Sequence, residues 1–254
     1  MNWKRPAPLW ILLIAMLATA SATAGVILLP SILSPKPDFT MSGLHPMYVQ
    51  ANGANQTLIT IQATRNFTGI VTVTTYSPPG VGTLLLDPQT WTAKDQVLLG
   101  KAGTLSLNVK DGEVGNFTVT VTASSGAISH TASFPVIVQN LTMTSSQSSL
   151  MIMRGSSGTS EINLSGVNGL SGNMSLGTTV WYNCNCGVTY LRDYASSAST
   201  NPTSMILSSG GAGKITLTIS VGQSDTSSLL RVLVSASMVR QLWTFNLNVQ
   251  VSVV

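Results

Sequence analysis

Apolar and polar residues alternate with a period of two from Pro37 to the end of the chain. The clearest such segments, which together are rich in Val, Ile and Thr, are residues 57–61, 70–74, 105–109, 117–122 and 133–138. This alternation predicts half-buried β-strands. Turn-forming sequences separate these segments. No stretch after Pro37 sustains the 3.6-residue apolar period of an amphipathic helix. We therefore expect an all-β fold of the sandwich class.

The strand pattern occurs twice along the chain, with a spacing close to the size of one sandwich domain. Residues 39–42 correspond to 141–144, residues 61–69 to 164–172, and residues 118–121 to 231–234. We assign one domain to residues 38–139 and a second to residues 140–254. The second copy is longer, and its extra length falls between Trp181 and Thr203. Because one strand closes at Gln139 and the next begins at Leu141, we expect a short hinge there.

Residues 1–37 combine a basic start, a long apolar run and a Pro-rich spacer. Lys4 and Arg5 precede residues 9–33, which contain no charged residue. A helix of about 20 apolar residues crosses a bilayer, and positive charge before it places the N-terminus in the cytoplasm. One interpretation is an uncleaved single-pass anchor at the cell membrane, with extracellular C-terminal domains. The other is a signal peptide cleaved after one of two Ala-Thr-Ala sequences, at 18–20 or 22–24, which gives a secreted protein.

Charge is scarce in this chain. Asp, Glu, Lys and Arg make up 8% of its 254 residues, against about 25% in ordinary soluble domains. The polarity comes instead from 33 serines and 30 threonines. The net charge of +4 is scattered, with no basic stripe to follow a phosphate backbone, so we expect no nucleic-acid partner. Eight acids, two histidines and two cysteines are few for catalysis, and we expect no catalytic residue, cofactor or metal.

Four sequences carry a resemblance to a known family: PDFTMS at 37–42, NFTGIVTV at 66–73, SPPGV at 77–81, and NFTVTVTASSGAISHT at 116–131. They resemble the tandem immunoglobulin-like repeats of secreted and cell-surface proteins, especially archaeal ones. The second domain matches in its first and last strands but lacks the Pro-Pro-Gly loop. The resemblance implies two immunoglobulin-like β-sandwiches in an extracellular setting. It implies no shared catalytic residue, because a fold does not determine a function.

Cys184 and Cys186 stand in a longer segment of the second domain, separated by a single Asn. An exported protein lies in a compartment that permits disulfides. A bridge between them requires a turn that brings the Cα atoms within about 7 Å. Free or intermolecular thiols and a soft metal ion are the alternatives.

Six Asn-x-Ser/Thr sequons offer N-glycosylation sites in an exported protein. They are Asn55, Asn66, Asn116, Asn140, Asn163 and Asn173. The number exceeds the chance expectation only slightly, so the predicted compartment is the stronger argument for glycans. Asn55 and Asn66, beside predicted turns, are the best candidates.

The remaining chemistry-bearing residues have structural explanations. His45 precedes a proline and His130 lies in a predicted strand, so a surface or strand-face role is expected for both. Asp111 and Glu113 flank a glycine in a predicted hairpin turn, which is too few oxygen ligands for a calcium site. Trp91, Trp181 and Trp243 fall in or beside strands. Core packing is the default for them, and a sugar-stacking platform is the sharper alternative.

Three functions are compatible with these observations. The first is a non-catalytic, membrane-anchored extracellular structural or adhesive protein, which associates with itself, other surface proteins or glycans. The second is a secreted filament subunit in which the apolar residues 25–33, freed by cleavage, add a strand to the next subunit. The third is a carbohydrate-binding or accessory module of an exported enzyme. An enzyme in its own right is not expected.

Overall fold

The computed structural model describes residues 36–87, 90–93, 101–108, 113–183, 190–238 and 241–254. These residues form strands and turns and contain no helix, so none of their segments is a helix able to cross a membrane. The all-β prediction is confirmed. The predicted N-terminal helix at 9–33 and the predicted donor strand at 25–33 lie outside the described residues.

The first sandwich consists of two sheets with its apolar side chains between them. Its strands are β1 (Asp38–Ser42), β2 (Met47–Gln50), β3 (Ala54–Thr64), β4 (Gly69–Tyr76), β5 (Thr83–Asp87), β6 (Thr90–Ala93), β7 (Lys101–Asn108), β8 (Gly115–Ser125) and the first part of β9 (Ile128–Ser145). One sheet has the order β1-β3-β7-β5, and in the other β9 pairs with β2 and continues into β8, β4 and β6. Every second residue of these strands enters the core, as Val119 and Val121 do in β8.

The second sandwich repeats this arrangement. It uses the last residues of β9 together with β10 (Ser149–Ile152), β11 (Ser157–Val167), β12 (Gly172–Tyr182), β13 (Leu191–Arg192), β14 (Ser197–Asn201), β15 (Ser204–Leu207), β16 (Ala212–Ser220), β17 (Leu229–Met238) and β18 (Trp243–Val253). One sheet has the order β9-β11-β16-β14, and the other has the order β10-β18-β17-β12-β13, with β15 also pairing with β12. The strand order corresponds to the ABED and GFC sheets of an immunoglobulin-like domain.

The two copies agree in strand register as well as in strand order. Met41 pairs with Ile61 in the first sandwich, and the residues aligned with them, Met143 and Leu164, pair in the second. The turn after β3 is also the same as the turn after β11, since Arg65–Asn66 and Asn168–Gly169 both have positive φ angles. Two consecutive positive φ values define a type I′ turn, whose twist matches that of the strands it joins. The register therefore supports the tandem repeat found in the sequence.

Strand β9 runs without interruption from the first sandwich into the second. The expected break at Gln139–Asn140 is absent, and the prediction of a hinge between two separate strands is corrected. Val138 is buried in the first core and Leu141 in the second. These residues are an odd number of positions apart, so their side chains leave opposite faces of the strand. The polar pair marks a change in which face of β9 meets a core, and the backbone pairing continues through it.

Candidate functional site

The outer face of the second sandwich carries a row of large polar and aromatic residues. Arg192 pairs with Trp181, Trp181 with Arg231, and Arg231 with Gln250, across strands β13, β12, β17 and β18. Directly paired residues of neighbouring strands lie on the same face of a sheet. The flanking positions Val180 and Val232 are buried in the core, so this set faces outward. We call Arg192, Trp181, Arg231 and Gln250 the Trp–Arg row.

Arg231 is held in place at the centre of this face. Its Nε donates a hydrogen bond to Asn248 Oδ1 at 2.8 Å. Its guanidinium carbon lies 5.1 Å from the ring centroid of Tyr190, within the range of a cation–π interaction. Together these contacts fix a planar cation that is ordinarily free to move.

A groove runs along the row. Its volume is about 380 Å³, and its lining residues are Trp181, Tyr190, Arg231, Leu233, Asn246 and Asn248. A second depression of about 520 Å³ adjoins it across Tyr190, Arg231 and Asn248 and extends to Ser149 and Gln250. The adjoining depressions form an open, elongated surface.

The row is electropositive. The guanidinium carbon of Arg192 lies 5.3 Å from the ring centroid of Tyr194. Tyr194 is 83% exposed. Among the described residues, the ion pairs are Lys214 with Glu161 and His130 with Asp38. Neither arginine of the row is therefore neutralised by a carboxylate in the described part of the chain. Aromatic rings, amides and guanidinium groups bind ligands, but they supply no nucleophile with an adjacent base.

Sequence reasoning singled out Trp181 of this site and missed its partners. Tyr190, Arg231 and Asn248 are far apart in the chain, and only the strand register brings them together. One signal was visible beforehand: amides at Asn246, Asn248 and Gln250 alternate with apolar residues in β18, which indicates an amide-lined strand face.

A second polar cluster fastens loops of the second sandwich around the buried carboxylate of Asp225. Its Oδ2 accepts a hydrogen bond from Ser196 Oγ at 2.5 Å, and its Oδ1 accepts one from Ser227 N at 2.8 Å. Arg154 Nε donates to the main-chain oxygen of Asp225 at 2.7 Å. Burial raises the pKa of Asp225, but the hydrogen bonds from Ser196 and Ser227 outweigh it and hold the pKa below its ordinary value. These contacts make Asp225 a structural residue.

His130 and Asp38 join the two sheets of the first sandwich. His130 Nε2 lies 2.7 Å from Asp38 Oδ1, and the imidazole meets the ring of Phe39 edge-on at 4.9 Å. The hydrogen bond with His130 lowers the pKa of the Asp38 carboxyl. His45 is exposed in the segment before β2.

The predicted sequons are distributed over both sandwiches. Asn55, Asn66, Asn116 and Asn173 are exposed, whereas Asn140 and Asn163 are half-buried. Three of these side chains are engaged: Asn55 Nδ2 donates to Tyr48 O at 2.7 Å, Asn116 Oδ1 accepts from Asn168 Nδ2 at 3.0 Å, and Asn140 Oδ1 accepts from Leu141 N at 2.9 Å. Glycosylation stays a prediction at all six.

Cys184, Cys186 and Asp111 lie outside the described residues, as does the side chain of Trp91. Trp243 is buried in the second core, where core packing was the default expectation. The described part of the chain brings together no group of three or more His, Cys, Asp or Glu residues able to hold a metal ion.

No protein-family model matches the chain, and neither does any curated protein. Solved structures match with low scores. The I-band fragment I67–I69 from titin is 14% identical with a TM-score of 0.36, and the match covers 85% of this chain and 65% of the titin chain. Domains 4 and 5 of the S-layer protein SbsC are 15% identical with a TM-score of 0.30, over 58% of this chain and 70% of that one.

A family 123 glycoside hydrolase from Clostridium perfringens is also similar. It is 8% identical with a TM-score of 0.35, over 45% of this chain and 27% of the hydrolase chain. The immunoglobulin-like assignment rests on the strand order and register described above, because scores this low carry no argument of their own.

Proposed function

We propose that this chain is a non-catalytic extracellular protein with a structural or adhesive role, anchored in the cell membrane by residues 9–33. The observation that carries the proposal is the uninterrupted strand β9, which belongs to both sandwiches. A shared strand makes the two domains a stiff unit, which suits a protein that holds a surface at a distance from a membrane. The extracellular setting comes from the sequence and from its resemblance to cell-surface repeats.

Side-chain contacts at the junction support the stiffness. Asn168 Nδ2 donates to Val138 O at 2.9 Å, and Gln139 Nε2 donates back to Asn168 O at 3.0 Å. Gln50 Nε2 of the first sandwich donates to Thr244 O of the second at 3.0 Å. Bending at the junction would break these bonds as well as the ladder of β9.

The outer face of the first sandwich also suits a structural role. Its side chains are mainly threonine and serine, and paired hydroxyls bond across the strands, as Thr120 with Ser133 at 3.0 Å and Thr122 with Thr131 at 3.2 Å. Such a neutral surface has little charge to keep copies apart. Contact with other copies, surface proteins or glycans is the corresponding expectation.

Two measurements on native material test the proposal. Protease added to intact cells should cleave the sandwiches, and a digest of washed membranes should contain a peptide that spans residue 24. A protein that is found only in the medium, with Gly25 at its N-terminus, would contradict the anchor. Fibres of that shortened protein in electron micrographs would favour the filament alternative.

Carbohydrate binding is a second candidate function, favoured by the groove along the Trp–Arg row. The indole ring of Trp181 offers an apolar surface to sugar C–H groups. The side-chain amides of Asn246, Asn248 and Gln250 offer both hydrogen-bond donors and acceptors to sugar hydroxyls. Affinity electrophoresis through polysaccharide gels tests this function. Retardation that Trp181→Ala removes would support it, and unretarded migration in every gel would exclude it.

A further inference from the structure

We infer that the Trp–Arg row binds an anionic glycan, a saccharide chain that carries carboxylate or sulfate groups. This inference rests on the second candidate function and names its ligand class. The groove already described supplies the shape, and its uncompensated charge supplies the selectivity.

The two arginines flank the tryptophan at regular spacing. Arg192 and Arg231 are the direct neighbours of Trp181 on either side. Since adjacent strands lie about 4.8 Å apart, the Cα atoms of the two arginines are about 10 Å from each other. A ligand that lies along the row therefore meets a cation, an aromatic ring and a second cation in succession.

Arg231 is prepared to receive an anion. Asn248 occupies its Nε and Tyr190 packs against the guanidinium, so less side-chain entropy is lost on binding. Its terminal Nη groups have no hydrogen-bond partner among the described residues. A guanidinium in this state binds a carboxylate or a sulfate with paired hydrogen bonds, at the strength typical of charge-assisted bonds.

The neighbours of the row favour a saccharide over an acidic peptide. Paired residues in the next two rows are Thr179, Leu233 and Asn248, then Gly177, Ser235 and Asn246. Four of these six are short hydroxyl or amide side chains, and they lie in the same groove as the rings of Trp181 and Tyr190 or beside it. They form no deep apolar pocket to anchor a peptide side chain, and amides pair readily with the hydroxyls of a sugar.

In the described part of the first sandwich, two central positions of this site hold other residues. By the repeat alignment, Arg231 corresponds to Thr118, and Gln250 corresponds to Pro135, which pairs with Thr118. The guanidinium of Arg231 and the amide of Gln250 are therefore not required by the fold that both copies share.

Titration of the full chain, in detergent if it is membrane-bound, with four polymers tests the inference. The probes are polygalacturonate, its carboxyl-reduced galactan, dextran sulfate and poly-glutamate, with tryptophan fluorescence as the signal. The wild type should bind polygalacturonate or dextran sulfate, more weakly as salt rises. Arg231→Gln should lower that affinity at least tenfold. Lys214→Gln removes the same charge from the opposite sheet and should leave the affinity unchanged.

Each other outcome overturns the inference in a recognisable way. Equal binding of reduced galactan would show that the charge is unnecessary, while the carbohydrate function itself would survive. Equal binding of poly-glutamate would identify an acidic-peptide surface. Absence of binding to all four probes would remove both the inference and the function on which it rests. Thermal melts of each variant show whether a lost signal comes from unfolding.

Discussion

The corresponding outer faces of the two sandwiches have the same backbone and different chemistry. In the first, paired positions such as Thr122 and Thr131 carry hydroxyls that bond to one another. In the second, the aligned strands carry Trp181, Arg231 and Gln250. Both faces lie above cores of buried Val, Leu and Ile. The core alternation is therefore enough to build the sandwich, and the outward positions of the second copy are available for a ligand.

The largest expected effect tests whether the two cores are energetically one unit. Leu164→Ala in the second core and Ile61→Ala at the aligned position of the first should each cost about 2–5 kcal/mol, because both side chains are buried. Since β9 belongs to both sandwiches, we expect one calorimetric transition that either variant moves to lower temperature. Two transitions, of which each variant moves only one, would contradict this coupling.

The two corresponding turns, at Arg65–Asn66 and at Asn168–Gly169, allow the contribution of the Asn168 side chain at the junction to be measured apart from the need for a positive φ angle. Asn168→Gly keeps a residue that accepts the positive φ angle but removes the amide bonded to Val138 O and Asn116 Oδ1. We expect a loss of about 1–2 kcal/mol in the free energy of unfolding, measured in urea. Arg65→Gly in the first sandwich is the matched control. It relieves a positive φ angle at a non-glycine residue, so a similar loss there would contradict the role of Asn168.

Acidification should weaken both sandwiches through their hydrogen-bonded carboxylates. The pKa of Asp225 and that of Asp38 are lowered in the folded state. The stability that such a group contributes is present above its unfolded pKa of about 3.9 and is lost as the pH falls through the folded pKa. The urea concentration at the unfolding midpoint, measured from pH 6 to pH 2, should therefore decrease once the pH is below about 4. Asp225→Asn should flatten this fall more than Asp38→Asn does, because Asp225 is the more buried of the two. Identical pH profiles for the wild type and both variants would contradict the assignment.

The smallest effect is expected on the hydroxyl face. Thr131→Val removes one exposed hydroxyl pair and leaves a β-branched side chain in the strand. The free energy of unfolding should change by no more than about 0.5 kcal/mol. Polysaccharide binding should be unaffected in the titration described above. A loss of binding would show that the first sandwich takes part in the site.

Much of the fold could be predicted from the sequence because its signals are local. Period-two alternation predicts strands, and the correspondence of residues 39–42 with 141–144 is reproduced in the strand register. The continuity of β9 could not be predicted in this way. Gln139 and Asn140 are a polar pair where the core-facing side of the strand changes, and such a pair in a sequence has the same pattern as a strand end.

The site was less accessible to sequence reasoning than the fold. Trp181 and Arg231 are 50 positions apart and become neighbours only through the pairing of β12 with β17. Tyr190 lies outside the regular strands, and its contact with Arg231 leaves no periodic trace. A ligand surface built on paired strands depends on the register, which in these outward positions is set by the buried residues between them.

The parallel pairing of β2 with β9 and of β10 with β18 has a mechanical consequence. In each sandwich one strand of the parallel pair lies near the start of the domain and the other at its end. A pull on the two ends of the domain therefore slides the two paired strands past each other along their length. The hydrogen bonds between such strands are loaded together and cannot open one after another. Each sandwich would therefore resist a pulling force by shear between its parallel strands. The backbone of β9 would transmit that force directly from one sandwich to the other, because no flexible linker lies between them.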